Sequence, residues 1–215
     1  MSERIVVVVS GGGAPAANAA RSVPPGAPVL AADRGLEHAL ALGLDVTVAV
    51  GDFDSAAPEA VAAAEESGVR IERHPAEKDA TDLELALDVA AEMEPERILV
   101  LGSASGRLDH LLSLVLLLAS NRYSGPQIDA ELGDARVHVI RGARDLVGEP
   151  GEVVTLLPAH GPAYSVRTQG LAFPLHGDTL EPGSTRGVSN VFIEARARIE
   201  VRYGVVLAIR SGVRT

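Results

Sequence analysis

The chain has 215 residues, of which 47% are hydrophobic, so it is long enough to bury a core and does not have the composition of a disordered protein. Its formal net charge of −10, with no basic tract, argues against a protein that binds nucleic acid electrostatically. It contains no cysteine, which excludes disulfides, thiolate catalysis and thiolate zinc sites.

Strands and helices alternate through the first half of the chain. Apolar runs that stop at glycine or at an acid predict strands at 4–9, 28–33, 46–51, 69–73 and 97–102. Helices are predicted near 16–21 and at 34–43, 58–66, 81–93 and from 107 onward. Strands that are apolar on both faces and separated by helices are typical of α/β domains with a mainly parallel, Rossmann-like sheet.

The longest apolar run, 111–119, belongs to the last of these helices. It is about half the length that a membrane-spanning helix needs. The apolar N-terminus runs into glycines without the small-residue pattern of a signal cleavage site. We therefore expect a cytoplasmic protein.

The pattern changes after Tyr123, where long helical segments stop. Short β-type runs follow at 128–132, 136–141, 152–157, 164–168, 191–196, 199–203 and 205–209. Because glycine, proline and aspartate separate them, they predict an antiparallel sandwich or barrel. We place the boundary near 124–126, so that an α/β domain covers 1–124 and a β-domain covers 125–215.

Two acids follow the third predicted strand in the segment Gly51-Asp52-Phe53-Asp54-Ser55. In open α/β sheets, ligands bind outside the carboxyl ends of the strands. Residues two apart in an extended segment point the same way, so Asp52 and Asp54 could share a divalent cation such as Mg²⁺ or Mn²⁺. A turn in which Ser55 caps the next helix is the alternative, but it leaves both acids unexplained.

Other strand ends also carry polar groups. Ser10-Gly-Gly-Gly13 before a helix could approach a phosphate, although on these residues alone a plain tight turn is favoured. Asp33 ends the second strand. In Lys78-Asp-Ala-Thr-Asp82, Thr81 with Glu84 also fits a helix-capping box.

The fifth strand leads through a flexible loop to Arg107-Leu-Asp-His110, where a guanidinium could clamp a phosphate. His38 is expected at a solvated helix position. Carboxylates, glycine loops, lysine and arginine gathered at one sheet edge favour phosphoryl or pyrophosphoryl transfer.

The motifs, in their order and spacing, resemble those of thiamine pyrophosphokinase. They are Ala32-Asp-Arg-Gly35, Gly51-Asp-Phe-Asp-Ser55, Lys78-Asp-Ala-Thr-Asp82, Gly106-Arg-Leu-Asp-His110, Gly170-Leu-Ala-Phe-Pro-Leu175 and Gly187-Val-Ser-Asn190. The resemblance covers nearly the whole chain. It implies an α/β domain followed by a β-sandwich, and a homodimer with active sites between subunits. It also implies transfer of pyrophosphate from ATP to the hydroxyl of thiamine with Mg²⁺, giving thiamine diphosphate and AMP.

The resemblance assigns a role to each matching residue. Asp52, Asp54 and Asp79 would hold the metal. Asp82, Lys78 and Arg107 would contact the triphosphate or stabilise charge on the transferred group, and Asp109 would orient or deprotonate the attacking hydroxyl. Asp33, Thr81 and His110 would shape or support the nucleotide side, where the glycine run after the first strand also makes Gly12 a candidate. Ser189 and Asn190 would line the thiamine side.

Two departures bear on the substrate. Arg34 stands where the family usually has glycine, which adds a side chain beside the nucleotide crevice. Some members place a tryptophan against thiamine, and this chain has none, so Phe173, Tyr164, Phe192 or an aliphatic wall would have to take its place. The alternatives are a pyrophosphokinase for another hydroxymethyl heterocycle such as a pterin alcohol, a non-catalytic nucleotide-binding module, and a structural α/β protein whose acids cap helices.

Overall fold

The structure is a computed structural model that describes residues 3–212. The α-helices are α1 (Gly35–Ala41), α2 (Pro58–Glu66), α3 (Asp82–Glu92) and α4 (Leu108–Leu118). The first six strands are β1 (Ile5–Val9), β2 (Val29–Ala32), β3 (Val46–Gly51), β4 (Arg70–Arg73), β5 (Arg97–Gly102) and β6 (Gln127–Leu132). The later strands are β7 (Ala135–Ile140), β8 (Ala143–Val147), β9 (Val153–Gln169), β10 (His176–Leu180), β11 (Asn190–Val191), β12 (Arg196–Glu200) and β13 (Tyr203–Arg210).

Contacts divide the chain into two compact units. Unit 1 extends to Leu114 and includes Ile128–Gly133, and unit 2 comprises Val115–Gln127 and the residues from Asp134 onward. The predicted domain boundary near 124–126 remains a prediction, and β6 lies beyond it although it clusters with unit 1.

Unit 1 contains a sheet with the strand order β4-β3-β2-β1-β5-β6. The pairs from β4 to β5 are all parallel, which confirms the predicted parallel strands. Both alternating sets of β1 side chains are buried, Val6 and Val8 as well as Val7 and Val9, as expected for a strand covered on both faces. Because β2 and β5 flank β1, the order of the strands along the chain reverses beside β1, which is the point where ligands bind in such sheets.

The helix expected near 16–21 is only a 3₁₀ turn at Ala19–Ser22. The other predicted helices form, and α3 buries Ala86, Leu87 and Ala90 where it packs on β1, β2 and β3. Within residues 3–212, no helix is long and apolar enough to cross a membrane.

Unit 2 is built around one long strand. β9 has 17 residues, so the strands predicted at 152–157 and 164–168 are a single element. Two consecutive residues with positive φ, His160 (58°) and Gly161 (138°), interrupt its middle, which is why the sequence reads as two strands. The order is β7-β13-β9-β12-β8, with β10 and β11 also paired to β9.

Two other strand predictions in unit 2 need correction, and two strands of unit 2 were not predicted. The strand predicted at 191–196 is only the two-residue β11, because Phe192 forms an isolated bridge with Leu171. The strand predicted at 199–203 lies instead at Arg196–Glu200. β8 and β10 were not predicted, because charged residues and glycine break their apolar alternation.

A buried ion pair ties β13 to the start of β9. Arg210 donates to Glu152 from Nε at 2.6 Å and from Nη2 at 2.8 Å, and its guanidinium lies 5.6 Å from the centre of the Phe192 ring. Burial by itself raises the pKa of Glu152, but the hydrogen bond and charge of Arg210 outweigh burial, so the pKa is lowered overall.

Glu152→Gln should lower the free energy of unfolding by about 3 kcal/mol, because it leaves a buried guanidinium without its counter-charge. Since the folded pKa of Glu152 is lowered, this stabilisation is complete above the usual value of 4.5 and disappears as pH falls through the folded value. Urea unfolding at several pH values measures it, with the exposed Glu194→Gln as a matched control. A loss that persists unchanged in strong acid would contradict the prediction.

Candidate active site

Three carboxylates meet at the carboxyl ends of β2 and β3. Asp33 follows β2, Asp52 and Asp54 follow β3, and one oxygen of each lies within 4.8 Å of the others. Like charges at this spacing repel, so the arrangement raises the energy of the folded chain unless a cation binds to it. Carboxylate oxygens are the ligands that Mg²⁺ prefers, so the donor set fits a hard divalent cation.

The convergence of Asp52 and Asp54 depends on the residue between them. We expected an extended segment, but Phe53 has φ 56°, a left-handed conformation that is rare for a bulky side chain. The ring is only 8% exposed and packs in a cluster with Ala31, Leu36 and Ala49. Burial of the ring therefore offsets the backbone strain, and the turn lets the Asp54 amide donate to Asp52 Oδ1 at 3.2 Å.

Gly51 brings β3 close to Asp33. A Cβ atom at Gly51 would lie 3.1 Å from the Asp33 Cα, tighter than ordinary contacts. The Asp33 amide donates to the Val50 carbonyl at 2.8 Å, which fixes the residue at the end of the parallel ladder. Glycine at this position is thus what allows acids from two neighbouring strands to approach each other.

Asp33 contributes more to the acidic cluster than its predicted role in shaping a crevice implied. It is 9% exposed, and its Oδ2 accepts a short hydrogen bond from the Ser55 hydroxyl. Its Oδ1 is buried without a hydrogen-bond partner in the described chain, which is costly for a carboxylate and suits a cation ligand. The predicted helix cap at Ser55 is wrong, because α2 has Ala57 at its N-cap and Ser55 binds Asp33 instead.

Lys78 provides positive charge beside the cluster. Its Nζ lies 3.0 Å from Asp52 Oδ2 and forms an ion pair of 2.8 Å with Asp82 Oδ1. The hydrogen bond from Lys78 lowers the pKa of Asp52. Repulsion from Asp52, together with Asp33 and Asp82, raises the pKa of Asp54. Lys78 thus offsets the charge of Asp52, whereas the charge of Asp54 is repelled by the other acids.

The segment that precedes α3 serves two purposes. Thr81 is the N-cap of α3 and accepts from the Glu84 amide at 3.2 Å, so the predicted capping interaction is present. Asp79 is exposed and does not belong to the group of Asp33, Asp52 and Asp54. Its predicted role as a metal ligand, like the nucleotide-side role of Thr81, remains a prediction.

Arg107 and Asp109 form an exposed pair at the start of α4. Arg107 donates from Nε to Asp109 Oδ1 at 3.1 Å and from Nη2 to Oδ2 at 2.6 Å. This hydrogen bonding lowers the pKa of Asp109 to about 2. His110 follows in the first turn of the helix and is exposed. Such an acidic Asp109 is a poor proton acceptor but a good hydrogen-bond acceptor.

The loops after β1 and β5 lie against each other. A Cβ atom at Gly13 would lie 2.9 Å from the Ser103 Cβ and 3.1 Å from the Ser105 hydroxyl, so only glycine permits this approach. The space beside Gly12 is open. His38, expected at a solvated position, instead has Nε2 2.9 Å from the Gly12 carbonyl, and no sequence pattern indicated this contact.

In unit 2, the two C-terminal motifs are joined through Asn190. Its side chain bonds to both the amide and the carbonyl of Phe173, at 3.0 and 2.7 Å. The Phe173 ring is 66% exposed. Ser189 is also exposed, and its amide donates to Thr155 Oγ1 at 3.0 Å. Phe192 is fully buried and so offers no surface to a ligand.

Comparisons with known proteins agree along nearly the whole chain. Residues 27–129 match the family model for the thiamin pyrophosphokinase catalytic domain, and residues 137–206 match the model for its vitamin B1 binding domain. The thiamine pyrophosphokinase of Bacillus subtilis strain 168 is 31% identical over 185 residues, covering 83% of this chain and 85% of that protein.

Solved structures show the same fold. The crystal structure of thiamine pyrophosphokinase from Bacillus subtilis superposes with a TM-score of 0.85 at 24% identity, covering 98% of this chain and all of that chain (100%). A thiamin pyrophosphokinase from Geobacillus thermodenitrificans gives a TM-score of 0.81 at 28% identity, covering 96% of this chain and 97% of that one.

Asp54→Asn should stabilise the protein in the absence of metal and reduce its stabilisation by Mg²⁺. Because the folded pKa of Asp54 is raised, its ionisation lowers stability as pH rises through that value. The variant should therefore have a higher melting temperature than the wild type at neutral pH, and the difference should vanish in acid. Thermal melts with and without Mg²⁺ measure both effects.

Asp45→Asn, at the opposite end of β3, is the matched control, because Asp45 is exposed and far along the strand from the cluster. It should change neither the melting temperature nor its response to Mg²⁺. Equal stabilisation of the wild type and Asp54→Asn by Mg²⁺ would contradict metal binding at the acidic cluster.

Proposed function

The chain belongs to the thiamin pyrophosphokinase family, and we propose that the residues at the strand ends of unit 1 perform the family's reaction. The enzyme transfers the pyrophosphoryl group of ATP to the hydroxyl of thiamine, giving thiamine diphosphate and AMP. In this reaction the hydroxyl oxygen attacks the β-phosphorus, and the bond from the β-phosphorus to the oxygen shared with the α-phosphate breaks. The convergence of Asp33, Asp52 and Asp54 carries the assignment of the site.

We propose that Asp33, Asp52 and Asp54 hold Mg²⁺, with Asp79 as a further candidate ligand. The unpaired buried oxygen of Asp33 and the raised pKa of Asp54 support this, because both groups gain from a nearby positive charge. When bound, Mg²⁺ would offset negative charge on the phosphate oxygens. The acids of this chain contribute by holding their oxygens in place before the ligand arrives.

Two cationic side chains of the site, Lys78 and Arg107, can also offset negative charge on the phosphates. Lys78 is held between Asp52 and Asp82, so its ammonium is oriented without a ligand, and we propose that it contacts the triphosphate. Arg107 is 70% exposed and always charged, so it can turn from Asp109 to a phosphate at little cost. The neighbouring loops leave open space beside Gly12 and carry the hydroxyls of Ser103 and Ser105.

Asp109 is proposed to orient the thiamine hydroxyl or to accept its proton. While Arg107 stays bonded to it, the carboxylate has a pKa of about 2 and only accepts a hydrogen bond at neutral pH; once Arg107 turns to a phosphate, the cause of this low pKa is removed. Phosphoryl transfer has a loose transition state, so a positioned hydroxyl can lose its proton late, as the bond to phosphorus forms. His110 is proposed to support this loop.

On the thiamine side, we propose that the exposed ring of Phe173 takes the place of the tryptophan that this chain lacks. A thiazolium cation gains about 0.5–2 kcal/mol from an aromatic face. Ser189, exposed beside the same motif, is proposed to contact thiamine directly.

A finer description of the architecture is part of the proposal. We propose a Rossmann-like catalytic domain over 1–124 and a thiamine-binding β-sandwich over 125–215, in a cytoplasmic homodimer with shared active sites. An apolar stripe on α4 supports the dimer: Leu108, Leu112 and Leu116 are 67%, 54% and 48% exposed and lie four residues apart on one side of the helix. A second copy of the chain could cover this stripe through a two-fold helix pair.

Product analysis tests the function. The enzyme incubated with ATP, Mg²⁺ and thiamine should form AMP and thiamine diphosphate in equal amounts, and chromatography resolves all the nucleotides. Asp52→Asn should abolish both products, while Asp45→Asn retains them. Formation of ADP would indicate single phosphoryl transfer, and turnover independent of thiamine would indicate a different acceptor.

Leu112→Glu should convert the dimer to a monomer, because it places a charge in the centre of the α4 stripe. Sedimentation velocity measures the molecular mass, and Leu40→Glu, an exposed leucine on α1, is the control. A Leu112→Glu protein that sediments like the wild type would exclude the α4 stripe from the dimer contact.

A further inference from the structure

Asn190 is a buried polar residue whose hydrogen bonds all go to nearby backbone. It is 2% exposed, and the two-residue strand β11 begins with it. Its Oδ1 accepts from the amides of Phe173 at 3.0 Å and of Val191 at 2.9 Å. Its Nδ2 donates to the Phe173 carbonyl at 2.7 Å. The Asn190 side chain therefore bonds to the Phe173 backbone as a neighbouring strand would, with one bond to the amide and one to the carbonyl.

The residue held in this way is itself exposed. The backbone on either side of Phe173 is anchored, with Leu171 and Leu175 buried in the core of unit 2 and the Ala172 amide bonded to the Val191 carbonyl at 2.8 Å. The Phe173 ring nonetheless projects from this anchored segment with 66% of its surface exposed. Because the ring itself packs little, the buried amide of Asn190 adds order to this surface segment and little to the packing of the core.

We infer that Asn190 is a positioning residue, which acts on thiamine through Phe173 and does not contact the substrate. The inference rests on the proposed function, in which Phe173 faces thiamine. A flat cationic heterocycle binds an aromatic face best when the backbone that carries the ring is already held in place, because the entropy of ordering that segment is then lost on folding and not on binding. Asn190 supplies this order from beneath the surface.

The absence of tryptophan permits a direct measurement of the ring's order. Phe173→Trp introduces one tryptophan into a chain that has none, so its fluorescence reports this site alone. Without any ligand, the anisotropy of Trp fluorescence should be high in Phe173→Trp and clearly lower in the double variant Phe173→Trp with Asn190→Ala. Asn121→Ala, at an exposed position in the 3₁₀ turn Asn121–Tyr123, should leave the anisotropy unchanged. An anisotropy that Asn190→Ala does not alter would overturn the inference.

Binding to thiamine separates positioning from direct contact. Thiamine should quench the new tryptophan, and Asn190→Ala should weaken this binding on the order of tenfold, the cost of ordering one or two side chains. In steady-state kinetics it should raise KM for thiamine by a similar factor and leave KM for ATP unchanged. If Asn190→Ala does not fold, Asn190→Asp, which loses the donor to the Phe173 carbonyl, takes its place in every measurement.

The decisive comparison uses Phe173→Ala as the background. If Asn190 works through the ring, adding Asn190→Ala to Phe173→Ala should raise KM for thiamine less than about threefold further, because the cycle is non-additive for residues that act as a unit. A full tenfold further increase would show that Asn190 contacts thiamine itself and would overturn the inference. A wild-type enzyme that makes no thiamine diphosphate would instead refute the proposed function, and the ligand-free anisotropy would still test the link from Asn190 to Phe173.

Discussion

Electrostatic repulsion among Asp33, Asp52 and Asp54 is the constraint that the rest of unit 1 is arranged to withstand. The chain confines three carboxylates within 4.8 Å by backbone means: parallel pairing of β2 with β3, a glycine at Gly51, and a left-handed turn at Phe53. The buried Phe53 ring anchors that turn in the apolar cluster, while Lys78 neutralises one side of the acids. Stability is thus sacrificed locally, and the surrounding core supplies the compensation.

Unit 2 is organised by buried hydrogen bonds and a buried ion pair, in contrast to the acidic cluster of unit 1. No group of acids that could hold a metal is found among its described residues. The surface proposed to bind thiamine is organised instead by buried hydrogen bonds. Asn190 holds the Phe173 segment, and next to it Phe192 packs beneath the Arg210 guanidinium, which Glu152 neutralises. The amide of Phe192 donates to the Glu152 carbonyl, so Glu152 joins a backbone hydrogen bond and the ion pair with Arg210. An exposed aromatic ring is in this way connected to a rigid interior.

Several features of the fold and site follow from the sequence, and others depend on tertiary contacts. The parallel strands and the acids at their ends are local in origin, because apolar runs of β-branched residues stop at glycine or aspartate. The continuity of β9 was not predictable, since the residues around His160 and Gly161 look like a turn and lie in the sheet because of tertiary pairing with β13. Likewise, membership of Asp33 in the acidic cluster depends on strand register, which no single segment encodes. The aromatic residue between two acids at Phe53 was a visible signal for a buried turn.

The register between β2 and β3 has a consequence for how this family can vary in length. The pairing advances by one residue near Thr47, from Val29 opposite Val46 to Leu30 opposite Val48, and from there the strands run in step to the acids. The separation of Asp33 and Asp52 is therefore set by the pairing of β2 with β3 and not by the number of residues between them in the chain. Residues can be inserted or deleted in the loop between α1 and β3 without moving the carboxylates, whereas one residue added after Thr47 shifts Asp52 by about 3.3 Å and turns it to the other face. The length of the α1–β3 loop can therefore vary, whereas the length of the last part of β2 and β3 cannot.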